Sequence, residues 1–202
     1  MRATMRERTF RSRLVSQTLA STPARVLDLG TGTGSLAVAL NDAGPNLRVT
    51  GLDGDPGALV LARAKDPEDQ IEWIHGRASE LPFPSASFDA VTCSLMLHHL
   101  QDADKLAALR ECLRVLVPGG HLLIADWGAA SDPLMWLAFC VIRLLDGFAR
   151  TRAHAAGALP KLIQTAGFGD VRSTAKLRTC WGTLQLISAL AVEPAANAGS
   201  SL

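Results

Sequence analysis

The stretch Val26-Leu27-Asp28-Leu29-Gly30-Thr31-Gly32-Thr33-Gly34-Ser35-Leu36 limits the possible folds more than any other part of the chain. An apolar run of strand length passes into three alternating glycines, and an apolar-periodic segment follows at once. Glycine tolerates positive φ and leaves the backbone bare for a ligand to approach. A helix opening at the last glycine presents unpaired N–H groups at its positive end. In nucleotide-binding α/β folds, a second strand ends in an acid for ribose hydroxyls about 20 residues later. Arg48-Val49-Thr50-Gly51-Leu52-Asp53 meets that requirement with Asp53.

The rest of the chain keeps the same rhythm. Residues 6–20 read as an amphipathic helix with Phe10, Leu14, Val15 and Leu19 on one face. Strands are predicted over 25–29, 48–53, 71–75, 88–94 and 121–126. Helices fill the gaps, running through Leu40, from Asp55-Pro56 to Lys65, and over 104–116. In the last of these Leu106, Leu109, Leu113 and Leu116 share a face, and Pro118-Gly119-Gly120 stops it. Alternation of this kind gives an α/β, Rossmann-like doubly wound sheet. An apolar helix over 133–149, a helix over 159–166, and strands over 170–178 and 183–191 complete it. A length of 202 residues suits one domain, and 48% hydrophobic residues supply its core. The expected divisions are a short N-terminal helical lid at 1–24, the main domain at 25–192 with a lid-like insertion at 131–158, and a flexible tail at 193–202.

Glycine spacing bears on the ligand. The dinucleotide fingerprint is G-x-G-x-x-G, whereas this loop is G-x-G-x-G with Ser35 at the third dinucleotide glycine position. That spacing opposes a nicotinamide-dependent oxidoreductase, and the absence of G-K-[ST] excludes a P-loop. Asp28 to Gly34 resembles motif I of the class I S-adenosylmethionine-dependent methyltransferases. Leu81-Pro82-Phe83-Pro84 with Ser87-Phe88-Asp89, then Leu97-His98-His99-Leu100, then Arg114-Val115-Leu116-Val117-Pro118-Gly119-Gly120 are similar to later motifs of that family. Their order resembles the type 11 branch that includes the ubiquinone and menaquinone methyltransferases. The resemblance implies a seven-stranded sheet, mostly parallel, closed by an antiparallel C-terminal hairpin, with Ala166-Gly167-Phe168 as the entry to its last strands.

Ligands in open parallel sheets bind at the carboxyl ends of strands, which selects the candidate site residues. For S-adenosylmethionine, with S-adenosylhomocysteine as product, these are Asp28, Gly30, Thr31, Gly32, Gly34, Asp53, Gly54, Arg77, Ala78 and Ser94. The resemblance places the methionine portion on the glycine loop, with Asp28 orienting that loop or receiving the amino group through water. One carboxylate, Asp53, can accept hydrogen bonds from both ribose hydroxyls. Asp55 reads as a helix N-cap. Gly76-Arg77-Ala78 stands where the family usually has G-D-A, so Arg77 replaces the acid that holds the adenine amino group. Arginine has donors only, so backbone near Ala78 or apolar packing must serve instead.

His98 and His99 are the candidate general bases, since imidazole titrates near neutrality. Adjacent side chains diverge on a regular element, and no ligand set completes a metal site, so no metal is expected. Met96, Asp126 and Trp127 are the candidate acceptor-binding residues, Trp127 as an apolar wall. His121 begins its strand and so belongs to the opposite edge.

A net charge of +1 gives no electrostatic reason for nucleic acid as partner. The acceptor is then a small molecule, hydrophobic or aromatic. The apolar 133–149 helix is too short and too charged at its end for a stable membrane span. It is a candidate lid, membrane-surface contact or homodimer face. Four separated cysteines and a basic opening without an apolar core fit a cytoplasmic protein. A non-catalytic cofactor-binding subunit is the alternative class.

Overall fold

The computed structural model describes residues 7–147, 151, 154 and 156–192. The tail expected at 193–202 and the end of the 133–149 helix beyond Gly147 lie outside them. Seven strands form one sheet in the order β3-β2-β1-β4-β5-β7-β6. They are β1 (Arg25–Leu29), β2 (Arg48–Asp53), β3 (Glu72–His75), β4 (Phe88–Ser94), β5 (Leu116–Trp127), β6 (Phe168–Thr179) and β7 (Gly182–Ala191). The first five pair in parallel. β7 runs antiparallel to both β5 and β6, so it is the one reversed strand. The sheet implied by the family resemblance is therefore the sheet observed.

Central strands in such a sheet are covered on both faces and read as continuous apolar runs. β1 and β4 behave in this way. Leu27, Leu29, Val91 and Cys93 join a core on one face, while Val26 and Ala90 join a second core on the other. The alternation follows from the two-residue period of a strand. β1 leads to β2 on one side of the sheet, while β4 lies on its other side. The connections diverge between β1 and β4, and their carboxyl ends open the crevice where ligands bind in folds of this topology.

Among the described residues six α-helices cover the sheet: α1 (Glu7–Leu19), α2 (Ser35–Ala43), α3 (Pro56–Arg63), α4 (Asp102–Val115), α5 (Pro133–Asp146) and α6 (Leu159–Thr165). α1 buries Phe10 and Leu14 in the core that also holds Leu36, Ala37 and Leu40 of α2. Asp55 caps α3 by accepting from the Gly57 N–H at 2.8 Å, with Pro56 at the first helical position. Gly167, at φ 109°, ends the chain's run out of α6 and turns it into β6.

Two expectations need correction. The helix predicted over 104–116 is Asp102–Val115, and Leu116 already belongs to β5, where it pairs with Phe88. Pro118-Gly119-Gly120 lies within β5 beside a register shift, because the extended chain continues through Gly119 at φ 76°. The buried face of α4 is Lys105, Ala108, Leu109, Cys112 and Val115, with Leu106 and Leu113 only partly buried. The buried stripe lies one position earlier than the leucine spacing suggests, because packing against the sheet selects the inward face.

Trp73 of β3 wedges the glycine loop against β2. A Cβ at Gly34 would stand 2.6 Å from its ring, and one at Gly51 also 2.6 Å. The indole N–H donates to Asp66 at 3.1 Å, which fixes the ring. Overpacking a fitted core typically costs about 1–3 kcal/mol. Gly51→Ala should lower the thermal midpoint accordingly, and adding Trp73→Leu should recover part of the loss, read as non-additivity in a double-mutant cycle.

Candidate functional site

The glycine loop adopts the left-handed backbone at all three glycines, with φ of 67° at Gly30, 56° at Gly32 and 74° at Gly34. Two of the three positions also lack room for a side chain. A Cβ at Gly30 would meet Met96 at 2.4 Å. At Gly32 a Cβ would meet nothing within 4 Å, so that glycine faces open space. The N–H groups of Gly30 and Thr31 both donate to the Leu52 carbonyl, at 2.8 and 3.0 Å, which binds the loop to the end of β2.

Two carboxylates complete the attachment. Asp28 is buried and accepts from the hydroxyls of Thr31 at 2.7 Å and Thr92 at 3.0 Å. It therefore joins β1, the loop and β4. Burial pushes its carboxyl up to about 6, although the two hydroxyls work in the opposite direction. Asp53 accepts from the Gly32 N–H through Oδ2 at 2.7 Å and from the Asp55 N–H through Oδ1 at 2.8 Å. The acid at the end of β2 thus touches the middle of the loop.

A cavity of about 250 Å³ opens beside these groups. Gly30, Asp53, Gly54, Arg77, Ala78 and Met96 line it, so five residues expected at the cofactor converge with Met96, which was expected at the acceptor. Ser79, Leu100 and Asp104 line it as well and were not anticipated. The sequence signal for the last two is their position just after the His98-His99 turn. A Cβ at Gly54 would touch only the Gly76 carbonyl at 3.6 Å, which leaves that wall flat. Ser94 ends β4, and Leu95 after it takes φ 52°, fixed by its N–H to the Ala125 carbonyl at 2.8 Å. Backbone in this sparsely populated region is concentrated at functional sites. No residue of α1 lines the cavity.

The two histidines differ. They form the 3₁₀ turn Leu97–His99, and their rings lie 4.0 Å apart between centroids. The expected divergence does not occur, because a tight turn brings neighbouring rings together. His99 is exposed. His98 is buried, and its Nδ1 lies 2.7 Å from Asp126 Oδ1. Asp126 is fully buried and also accepts from the Trp127 N–H at 2.7 Å. Burial opposes its charge, but His98, His154 and these hydrogen bonds hold its carboxyl well below the usual range.

Asp126 and Trp127, expected as acceptor contacts, are both buried. Asp126 anchors His98, and Trp127 is 1% exposed with its ring 5.8 Å from that of Phe139 on α5. The insertion after β5 folds back over both. His154, which the sequence reading missed, is buried there and donates from Nδ1 to the Trp127 carbonyl at 2.7 Å. Its Nε2 and the Trp127 indole N–H are buried without a hydrogen-bond partner among the described residues. Burial lowers the His154 imidazole below its ordinary value. The only advance signal was a lone histidine in an alanine-rich stretch.

Among the described residues no group of three or more His, Cys, Asp and Glu side chains is gathered for a metal ion. No helix among them is long and apolar enough to cross a membrane.

Residues 27–124 match the family model described as a methyltransferase domain. The chain is 38% identical over 135 residues to a demethylmenaquinone methyltransferase of Deinococcus radiodurans, covering 66% of this chain and 55% of that protein. It is 40% identical over 120 residues to the protein of the same name from Thermus thermophilus, covering 58% and 54%. The chain thus spans little more than half the length of the curated relatives it matches. Among solved structures, the S-adenosylmethionine-dependent methyltransferase SibL in its apo form superposes with a TM-score of 0.72 at 27% identity, over 91% of this chain and 55% of that one.

The Asp28 geometry predicts a pH effect. Its folded value is raised, so ionisation is disfavoured in the fold and stability falls as pH climbs from about 4 through 6. A shift of this size corresponds to a loss on the order of 3 kcal/mol above pH 6. Asp28→Asn removes the titration. Its thermal midpoint should gain on the wild type between pH 4.5 and pH 8, and a constant difference across that range would refute the assignment.

Proposed function

We propose that this chain is an S-adenosylmethionine-dependent methyltransferase that transfers a methyl group to a small hydrophobic or aromatic acceptor, a reading supported by its match to a methyltransferase domain and its likeness to methyltransferases in sequence and structure. The observation that carries this reading is the meeting of Asp53, the glycine loop and the flat Gly54 wall at one cavity. A carboxylate offers about four lone-pair sites, and the loop and Asp55 use two of those on Asp53. The remainder suit two ribose hydroxyls. Gly30, Thr31, Gly32 and Gly34 keep the backbone low where the amino-acid portion would lie, and Ser94 ends the neighbouring strand β4. The open space over Gly32 and the flat wall at Gly54 both fit an adenosyl group.

When bound, S-adenosylmethionine supplies a methyl group already activated on a sulfonium, so no covalent intermediate with the protein is required. The protein's tasks are to hold the acceptor atom in line and to remove its proton. His98 suits the second task. Asp126 accepts from Nδ1–H and fixes the tautomer, which makes Nε2 the basic nitrogen. Removing a hydroxyl or enol proton there leaves an imidazolium that buried Asp126 stabilises. The rings of Trp127 and His154 lie 6.2 and 6.1 Å from that of His98, and Phe139 packs on Trp127; this packing supports the insertion as a lid that would exclude water. His99, exposed beside it, is the lesser candidate.

The Deinococcus and Thermus relatives are named for demethylmenaquinone, and that name supports quinol-like or phenolic rings as the acceptor class. No charge excess favours nucleic acid. Exposed Leu134, Trp136, Leu137, Val141 and Leu144 along α5 support a second copy of this chain as partner. A cytoplasmic setting is supported by the buried thiols Cys93 and Cys112, the latter pushed by burial up to about 12.

Transfer of labelled methyl from S-adenosylmethionine to a panel of quinols and phenols tests the proposal. His98→Ala and Asp126→Asn should each lower kcat by about 10²–10⁴-fold while leaving S-adenosylhomocysteine affinity within a few-fold of wild type. Cofactor binding without transfer to any acceptor would favour the non-catalytic subunit.

A further inference from the structure

The adenine edge of an adenosyl group presents an amino donor beside a ring-nitrogen acceptor. A protein wall that reads it needs an acceptor and a donor side by side. Arg77 lines the cavity and offers donors only. Asp53, the other charged group near the ribose end, is engaged with the loop. The acid left on the cavity wall is Asp104, in the first turn of α4.

Asp104 has an alternative explanation as an acid complementing the helix dipole. Asp102 already occupies that turn and accepts from Lys105 Nζ at 2.9 Å. Among the described residues the side chains of Asp104 and Arg77 make no hydrogen bond or ion pair. Arg77 is held through its backbone, its carbonyl accepting from the Glu80 N–H at 3.1 Å. An acid and an arginine therefore line one cavity without pairing with each other. Their chemistry is the complement of the adenine edge.

We propose that Asp104 accepts the adenine amino group while Arg77 donates to the neighbouring ring nitrogen, so that the pair determines base specificity in the cofactor cavity. This rests on reading that cavity as the S-adenosylmethionine site. The acid for the base thus comes from α4 in place of the loop after β3. Ser79 lines the same wall, but its hydroxyl is uncharged and makes the weaker acceptor.

Calorimetric titration of the full chain with S-adenosylhomocysteine and with S-inosylhomocysteine tests it. The inosyl analogue carries a carbonyl oxygen in place of the amino group, so it faces Asp104 with an acceptor. The wild type should prefer the adenosyl compound by roughly 10- to 100-fold, the range for a hydrogen bond to a charged group. Asp104→Ala should weaken the adenosyl compound by about tenfold and abolish the preference. Asp104→Asn, whose amide oxygen still accepts, should retain most of the affinity. Asp104→Ala with unchanged affinity and unchanged preference, while Asp53→Ala still loses binding, would overturn the inference and leave the cofactor reading standing. Failure of the wild type to bind either compound would overturn both.

Discussion

Asp28 is placed where a carboxylate is costly, and the loop depends on its being there. Two threonine hydroxyls, one from the loop and one from β4, point their protons at a fully buried acid. Without that acceptor Thr31 and Thr92 would each lose a buried partner, and the loop would lose its tie to the central strand. The desolvation of Asp28 is the counterpart of that order. Above the loop, Asp53 fixes Gly32 from β2. The three left-handed glycines then lie between two acids from adjacent strands, and the cavity follows from this arrangement.

The same logic recurs two strands away from β1. Asp126 is the buried acid of β5, and it orients a histidine from the turn after β4. Asp53 of β2 and Asp126 of β5 thus each hold the loop that follows the neighbouring parallel strand, β1 and β4 respectively. Around Asp126 the insertion brings Phe139 and His154 onto Trp127. Two buried polar atoms there, the Trp127 indole N–H and His154 Nε2, have no hydrogen-bond partner among the described residues. Such atoms cost stability unless a ligand or water meets them.

Much of this was legible because it is local. The strand at 88–94 lies where its apolar run predicts, and Asp55 caps its helix as its place before Pro56 predicts. The glycine spacing identified the loop, and five of the predicted cofactor residues do converge. What escaped was set by long-range packing. Nothing beside His98-His99 says which ring turns inward, since Asp126 lies 28 residues away. Trp127 reads as a pocket wall until Phe139 and His154 are folded onto it. Asp104 and Leu100 reach the cavity only because α4 begins at Asp102 and passes its rim. Leu116 looked helical by spacing, yet pairing with Phe88 drew it into β5.

The central claim is that Asp53 both fixes the loop and receives the ribose of an adenosyl cofactor. A crystal structure of the protein with S-adenosylhomocysteine tests it most directly. The account predicts both ribose hydroxyls on the Asp53 carboxylate, the Gly32 N–H still donating to Oδ2, and the base lying against Gly54 and Ala78. A nucleoside seated away from Asp53, or a loop that abandons its three left-handed glycines on binding, would contradict it.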